Sequence, residues 1–402
     1  MRWIWDGQRL KRKDQRDRLV QSGSGNRYVS WVSQTSEAGT TVTPDTALTL
    51  GAVWACVRCV TETLATLPLN VLKKGENNSR SVWGDHPIHK LLHSYPNPLQ
   101  SKVEFFEYMI GHLELRGNAY AEIEYNSRGL PIALWPLHPD SMTVTLNKDG
   151  LQYEYKLPNC STIKLPQKNV LHIKFLSLDG VVGTSPIRYA ANAVGAGLAA
   201  QKYSSKVFKS GGSQRFALVS EHSLKPDQIA DLRASWESTY SGIDSSHRVA
   251  ILHGGIKPEV IGIAPEDAQL LQMWNATVVD VCRIWRVPPH KVAQLDRATF
   301  SNIEEQNIEW VTDSILPRAV RIEQAIQSAL LRDQDDAEVK FNLDGLLRGR
   351  LQDRMEAYAK AIQWGFRSRN EIRALEELPP FEGGDKFDRP LNMLPIPGAS
   401  SG

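Results

Sequence analysis

The sequence lacks the motifs on which most nucleotide-dependent and metal-dependent enzymes are built. No Gly-Lys pair occurs in its 402 residues, which excludes a Walker A loop for nucleotide phosphates. No His-Glu pair occurs either, which excludes an HExxH zinc site. Four cysteines are too few for a disulfide scaffold in a chain of this length, and they favour folding with free thiols in the cytosol.

The chain also lacks the signals of a membrane or secreted protein. No apolar run reaches the roughly 20 residues that a transmembrane helix requires. The basic stretch 1–20 has no apolar segment behind it, so we expect no signal peptide. With 47 Lys and Arg against 45 Asp and Glu, the formal net charge is only +2. Binding to nucleic acid over the whole surface is therefore not expected, although a local path for DNA remains open.

Two residue clusters have the spacing of metal ligands, but each has a simpler interpretation. His86, His89 and His93 fall at i, i+3 and i+7, and Cys56 and Cys59 form a CxxC pair. A CxxC pair inside an amphipathic helix, without a second pair, is usually two small buried side chains. We therefore predict no metal site, no cofactor and no catalytic residue.

Three helical patterns bracket a small insert and a loop. Apolar residues recur in steps of three and four over 185–212, 264–287 and 302–331. A small α/β insert, 213–263, separates the first two helices. Pro317 lies inside the third helix and predicts a kink, because proline removes a hydrogen bond of the helical ladder. This order is typical of a protein that surrounds something rather than one that closes on a small pocket.

Gly195 and Gly197 lie in an alanine-rich part of the first helix. Each glycine costs a helix about 1 kcal/mol relative to alanine, so small side chains here indicate a close approach of another backbone. That contact could lie within one chain or between copies of the chain.

The remaining segments complete an α+β chain. Residues 48–184 alternate between helical patterns and strand-like runs. The basic arm 1–47 and the proline-rich tail 379–402 are expected to be disordered until a partner binds.

A series of short motifs then occurs in the order found in one known family. The motifs are Ala52-Val53-Trp54-Ala55-Cys56-Val57-Arg58, Leu67-Pro68-Leu69, His86-Pro87, Pro96-Asn97-Pro98, Gly117-Asn118-Ala119-Tyr120, Gly183-Thr184-Ser185-Pro186, Trp285-Arg286-Val287-Pro288-Pro289, Ser301-Asn302-Ile303-Glu304-Glu305-Gln306, Ile315-Leu316-Pro317, Arg369-Asn370-Glu371-Ile372-Arg373 and Leu378-Pro379-Pro380. Across about 48–384 the chain thus resembles the bacteriophage portal proteins of long-tailed siphoviruses.

The resemblance implies a portal fold and a place in the virion. Such proteins form rings, usually dodecamers, at one capsid vertex, and they are assembled in the host cytoplasm. Double-stranded DNA passes through the ring without sequence specificity. The implied partners are the terminase large subunit, the major capsid and scaffold proteins, and a head-tail adaptor.

The resemblance also divides the chain into parts. The implied divisions are a first wing part at 48–184, stem helices at 185–212 and 264–287, a clip at 213–263, a tunnel loop at 288–300, a long kinked helix with a wing return at 301–345, and a crown at 346–378.

Charged residues in two of these parts are candidate contacts. The candidate DNA contacts in the channel are His290, Lys291 and Arg297. In the alternative, Lys291 and Arg297 would pair with acids of neighbouring subunits. The residues expected to dock the motor on the clip helix are Asp231, Arg233 and Glu237. The alternatives are a capsid or scaffold protein without a channel and a nucleic-acid packaging enzyme.

Overall fold

The computed structural model of the chain describes most of its length. It describes residues 3–5, 10–12, 27–29, 34–75, 79–147, 150–209, 216–220, 225–240, 256–260, 267–293, 300–332, 334, 336–347, 351–376 and 378–387. Helices and strands are mixed along the chain, as the α+β prediction requires.

Sixteen strands lie in the described ranges. They are β1 Trp3–Trp5, β2 Leu10–Arg12, β3 Arg27–Val29, β4 Gln34–Thr35, β5 Thr41–Val42, β6 Leu69–Lys74, β7 Arg80–Val82, β8 Asn118–Tyr125, β9 Pro131–Leu137, β10 Met142–Asn147, β11 Gly150–Lys156, β12 Thr162–Pro166, β13 Val170–Lys174, β14 Phe216–Ser220, β15 Ile256–Val260 and β16 Ala337–Phe341.

Thirteen α-helices lie in the same ranges. They are α1 Pro44–Leu48, α2 Gly51–Thr66, α3 Pro87–His93, α4 Lys102–Arg116, α5 Pro186–Tyr189, α6 Ala191–Lys209, α7 Pro226–Tyr240, α8 Asp267–Trp285, α9 Phe300–Trp310, α10 Leu316–Leu330, α11 Asp344–Leu347, α12 Leu351–Gln363 and α13 Arg369–Leu375. A π-helical turn, Val311–Ile315, joins α9 to α10.

The core of the first half is built around the packing of α2 on α4. Local sequence sets the limits of α4. Ser101 and Glu104 form a reciprocal capping box at its start, and Gly117 ends it with a left-handed φ of 76°. A side chain could not replace that glycine, because its Cβ would overlap the backbone of Thr184.

The first half also contributes strands to three sheets. Their strand orders are β13-β8-β9, β16-β6-β7 and β12-β11-β10-β3. The strand β16 follows the long helix in sequence and pairs antiparallel with β6, with Val339 opposite Val71. This pairing joins the segment after the long helix to a strand of the first half.

The long helix is continuous through a change of helical pitch. The α-helix α9 ends at Trp310, the π turn follows, and α-helical structure resumes at Leu316. Pro317 lies just after the wide turn. Because proline has no backbone N–H, the carbonyl of Asp313, four residues earlier, receives no hydrogen bond from it. The Arg286 guanidinium lies 3.5 Å from this carbonyl and supplies a donor in place of that N–H.

The expectation of disorder is wrong for the last part of the N-terminal arm. Strands β4 and β5 form a hairpin, and Thr43 caps α1 in a capping box with Thr46. Val42 is fully buried, and the Glu37 amide donates to Asn192 Oδ1 on α6 at 3.2 Å. The buried valine and the hydroxyl-rich turn stabilise a segment whose composition alone is typical of a flexible arm.

Residues Leu343–Gly402 form a second compact unit. The Asn370 side chain accepts from the Phe381 amide at 3.0 Å and donates to the Phe381 carbonyl at 2.9 Å, and Gly384 is buried. The first residues of the tail predicted to be disordered, 379–387, are therefore held on α13. Residues 388–402 lie outside the described residues.

The insert between the stem helices contains an antiparallel strand pair, β14 and β15, together with α7. The first stem segment is divided at Ala190 into the short α5 and the longer α6. Within the described parts of the chain, no helix is both long and apolar enough to cross a membrane.

Candidate functional site

Helices α6 and α8, which lie in the two segments predicted to form the stem, pack against each other within the chain, and Gly197 lies at their contact. A Cβ at Gly197 would lie 2.8 Å from Thr277 Cγ2 on α8 and 3.0 Å from a Leu50 methyl group. Both distances are too short for an additional carbon atom. The absence of a side chain therefore permits the observed helix spacing.

Gly195 permits a second close approach, on the N-terminal side of the same helix. A Cβ there would overlap the side chain of Ser36 in the β4–β5 hairpin. Both glycines therefore have close neighbours within the chain.

The second stem helix, α8, ends in a Schellman motif. The Val287 amide donates to the Cys282 carbonyl at 3.0 Å, and the Arg286 amide donates to the Arg283 carbonyl at 3.3 Å. Arg286 therefore has a left-handed φ of 53°, an unusual conformation for a residue with a side chain. This turn ends the helix just before Pro288 and Pro289.

A buried ion pair joins the end of α8 to the long helix and to α4. Arg318 Nε donates to Glu114 Oε1 at 2.6 Å, and Arg318 Nη2 donates to Oε2 at 3.1 Å. The same guanidinium donates to the Trp285 carbonyl at 2.9 Å and to the carbonyl and hydroxyl of Ser314 at 3.0 and 2.9 Å. All five N–H groups thus have an acceptor, as a buried arginine requires.

A thiol pair lies at a second contact of α8. Cys56 Sγ on α2 lies 3.9 Å from Cys282 Sγ on α8, and both residues are buried. The hydrogen bond with Cys282, together with burial, raises the pKa of Cys56, so that thiol is protonated at neutral pH. His86 and His89, from the other cluster, bond to Gln334 Oε1 and to the Val71 amide. No group of three metal-ligating side chains occurs among the described residues.

The described half of the predicted tunnel loop is a 3₁₀ turn, Pro289–Val292, that packs on α2 and α8. Lys291 Nζ lies 4.8 Å from the centre of the Trp310 ring, a cation–π contact. His290 Nε2 lies 3.2 Å from Asn307 Oδ1. The structure brings these two predicted contact residues together beside the long helix, whereas Arg297 lies outside the described residues.

On the insert, the structure places Asp231 and Arg233 on exposed positions of α7. Nothing is described of the Glu237 side chain. Ile229 on the same helix is 47% exposed, so an apolar side chain accompanies the two charges. An exposed surface of this mixed composition is suited to contact with another protein.

Two histidines are held neutral near α4 and β13. Burial, together with the positive charge of Arg116, lowers the pKa of His112 to about 3. Burial lowers the pKa of His172 well below its usual value, and its Nε2 lies 3.0 Å from Asn118 Oδ1. Neither residue was identified from the sequence, because isolated histidines carry no pattern.

The fold and these contacts can now be compared with known proteins. The family model described as "Phage portal protein" matches residues 51–377. The chain belongs to the phage portal protein family. The family is structural rather than catalytic.

Two phage proteins are similar over most of their length. The "Probable portal protein" of Streptomyces phage phiC31 is 33% identical over 376 residues, covering 89% of this chain and 81% of that protein. The "Portal protein" of Enterobacteria phage HK97 is 32% identical over 356 residues, covering 87% and 83% of the two chains.

Solved structures agree in fold. A chain from "Neck of empty GTA particle computed with C6 symmetry", where GTA is a gene transfer agent, has a TM-score of 0.63 and 25% identity, covering 91% of this chain and 99% of its own. The HK97 family phage portal protein from Corynebacterium diphtheriae has a TM-score of 0.57 at 19% identity, covering 79% and 98%. This second likeness concerns the fold alone.

Proposed function

We propose that the chain assembles into a closed ring at one vertex of a capsid and forms the channel through which double-stranded DNA enters and leaves. The family match over 51–377 is the observation that carries this proposal. The relative in a neck computed with C6 symmetry supports a ring. Cyclic closure requires two different complementary surfaces on each subunit.

The ring is tested by mass and by imaging of the purified chain. Twelve chains of 45.0 kDa would give about 540 kDa for a closed dodecamer. Native mass spectrometry should give a single closed assembly, and electron micrographs should show a central hole. Monomers or dimers alone at micromolar concentration would contradict the ring, and particles without a hole would favour a capsid or scaffold role.

The loop 288–300 is proposed to contact DNA weakly as it passes. One or two phosphate contacts per subunit, each screened by salt, would steady a duplex without holding it in place. Base-specific contacts are not expected, because a genome of any sequence must pass. Lys291 rests on Trp310, so its ammonium group is already positioned while it remains exposed.

Replacing Lys291 and Arg297 by alanine should leave ring formation nearly unchanged and alter DNA packaging or retention. A Lys291→Arg variant is the control, because it keeps the charge and can still stack on Trp310. If the double variant packages and retains DNA like the unaltered chain, the loop is not a DNA contact.

The insert 213–263 is proposed to dock the terminase large subunit during packaging and the head-tail adaptor afterwards. Exposed Asp231 and Arg233 on α7 support this proposal. Reversing the charges of Asp231, Arg233 and Glu237 should weaken binding of the motor and leave rings intact. Loss of the rings would show instead that the insert serves assembly.

A further inference from the structure

The long helix carries an acidic stripe on its first half. Glu305, Glu309 and Asp313 are spaced by four residues, and all three are exposed. Three large apolar side chains on the same helix are exposed as well: Ile308 at 56%, Leu316 at 39% and Val320 at 37%. A helix face that combines carboxylates with uncovered apolar groups is typical of a surface that another protein covers.

A basic groove lies beside the second half of the same helix. It is an open cavity of about 870 Å³ between α10, β13 and the turn at Gln167–Asn169. Its cationic residues are Lys168, Lys174, Arg321 and Arg332, and its lining contains no carboxylate. Among the described residues, none of these four cations has a carboxylate within 4.0 Å.

Two of the cations are fixed in place. Arg321 Nη1 donates to the Phe175 carbonyl at 2.6 Å, and its guanidinium lies 5.6 Å from the Phe175 ring centre. Lys174 Nζ donates to the Gly180 carbonyl at 3.1 Å, with Asp179 nearby. Lys168 and Arg332 have exposed side chains that can reach an incoming group. The groove is thus partly built in advance for an anionic partner.

We propose that the acidic stripe of one copy of this chain docks into the basic groove of the next copy, and that this contact closes the ring. The inference rests on the proposed ring function and assigns its interface. The stripe and the groove are two different surfaces of one chain and carry opposite charges. Head-to-tail assembly requires two different surfaces that fit each other. The centres of the stripe and the groove, near residues 309 and 326, lie about 25 Å apart along the helix, so one copy can present the stripe to one neighbour and the groove to the other.

The charges on the stripe and on the groove can be reversed separately. An acid-reversed variant carries Glu305→Lys and Glu309→Lys. A base-reversed variant carries Lys168→Glu and Arg332→Glu. We expect each variant alone to remain a monomer of 45.0 kDa, because the two reversed residues of every contact then face like charges on the neighbouring copy.

Mixing the two variants is the decisive measurement. In an equal mixture every contact again joins opposite charges, so rings with alternating subunits should form at the mass of the unaltered ring. A matched control, Lys156→Glu with Lys164→Glu, reverses two exposed lysines outside the groove and should assemble normally. Circular dichroism of each variant verifies its folding.

A crosslink gives a second measurement that does not depend on reversed charges. In a Cys160→Ser background, which removes an exposed thiol, Glu309→Cys with Arg332→Cys should form disulfides between copies under mild copper-catalysed oxidation by oxygen. Two thiols lose two electrons and two protons as each bond forms. The double variant should give covalent oligomers, whereas either single variant should give none.

The outcomes separate the inference from the proposed function. If the unaltered chain forms no ring, the proposed function fails. If it forms rings and both reversed variants do so as well, or if the crosslink is absent, the proposed contact is wrong while the ring stands. If the mixture stops at a dimer of twice the chain mass, the contact is two-fold, and head-to-tail closure is wrong.

Discussion

The buried ion pair of Arg318 and the basic groove both contain an arginine of α10, but the two arginines differ in their partners. Arg318 and Arg321 lie one turn apart on α10. Arg318 is 6% exposed, and every one of its donors has an acceptor in the same chain. Arg321 is half-buried at the edge of an open groove without a carboxylate. An arginine whose donors all have acceptors in its own chain, such as Arg318, stabilises the subunit. An arginine beside a groove without a carboxylate, such as Arg321, is suited to bind a neighbouring molecule.

The largest effect is expected from removing one side of the buried pair. Glu114→Ala leaves the Arg318 charge buried and unpaired, so the free energy of unfolding should fall by about 3–5 kcal/mol. Denaturant titration of variants in the same oligomeric state measures this loss. Replacing both residues, Glu114→Leu with Arg318→Met, should recover much of it. An equal loss in the double variant would show that packing, not the unpaired charge, dominates.

Smaller effects on stability are expected at two helical glycines, and the two effects should differ in sign. Gly197→Ala should destabilise the chain by up to about 2 kcal/mol, because overpacking against Thr277 exceeds the gain in helix propensity. Gly111→Ala on α4 meets open space and should stabilise by about 1 kcal/mol. Thermal unfolding compares the two variants. Stabilisation by both would mean that the α6–α8 contact tolerates a wider spacing.

Acid should lower the stability of the chain through His112 and His172, which are neutral when folded. The pKa of His112 is about 3 when folded and near 6.5 when unfolded, so the unfolded chain binds more protons between these values. Stability should therefore fall as pH falls below 6.5, by about 1–2 kcal/mol for His112 at pH 5. The titratable groups that act on the His112 ring are Arg116, His138 and Asp140.

His112→Gln should remove part of this pH dependence, and His172→Gln should remove a further part in the same direction, because the pKa of His172 is also lowered by burial. The measurement is the unfolding midpoint at pH 7 and pH 5 for each variant. An unchanged pH slope in both variants would show that carboxylates, not these histidines, cause the acid sensitivity.

The smallest effect is expected at an exposed pair on the second stem helix. Arg283 Nη1 lies 2.5 Å from Asp280 Oδ1, but the two side chains are 72% and 50% exposed. Arg283→Ala should cost less than about 1 kcal/mol, and the difference should shrink further in high salt. A loss comparable to that of Glu114→Ala would contradict the view that burial separates these two kinds of ion pair.

Sequence patterns predicted the helices and several of their limits well. Spacing in threes and fours indicated the stem and the long helix, and Pro288 and Pro289 follow the end of α8 closely. Such signals are local, since capping and periodicity depend on residues within a few turns. Disorder was predicted for residues 34–47 from composition, and that prediction was wrong because the hairpin is stabilised by α6, about 150 residues away.

The sequence by itself determined the family, the order of helices and strands, and the absence of the nucleotide and zinc motifs considered. It could not distinguish Arg318 from Arg321, because both are arginines on one helix. Tertiary structure decided that difference by bringing Glu114 and the Trp285 carbonyl to the first and an open groove to the second. The physical reason is that the desolvation and pairing of a charge depend on groups far away in sequence, which no local pattern records.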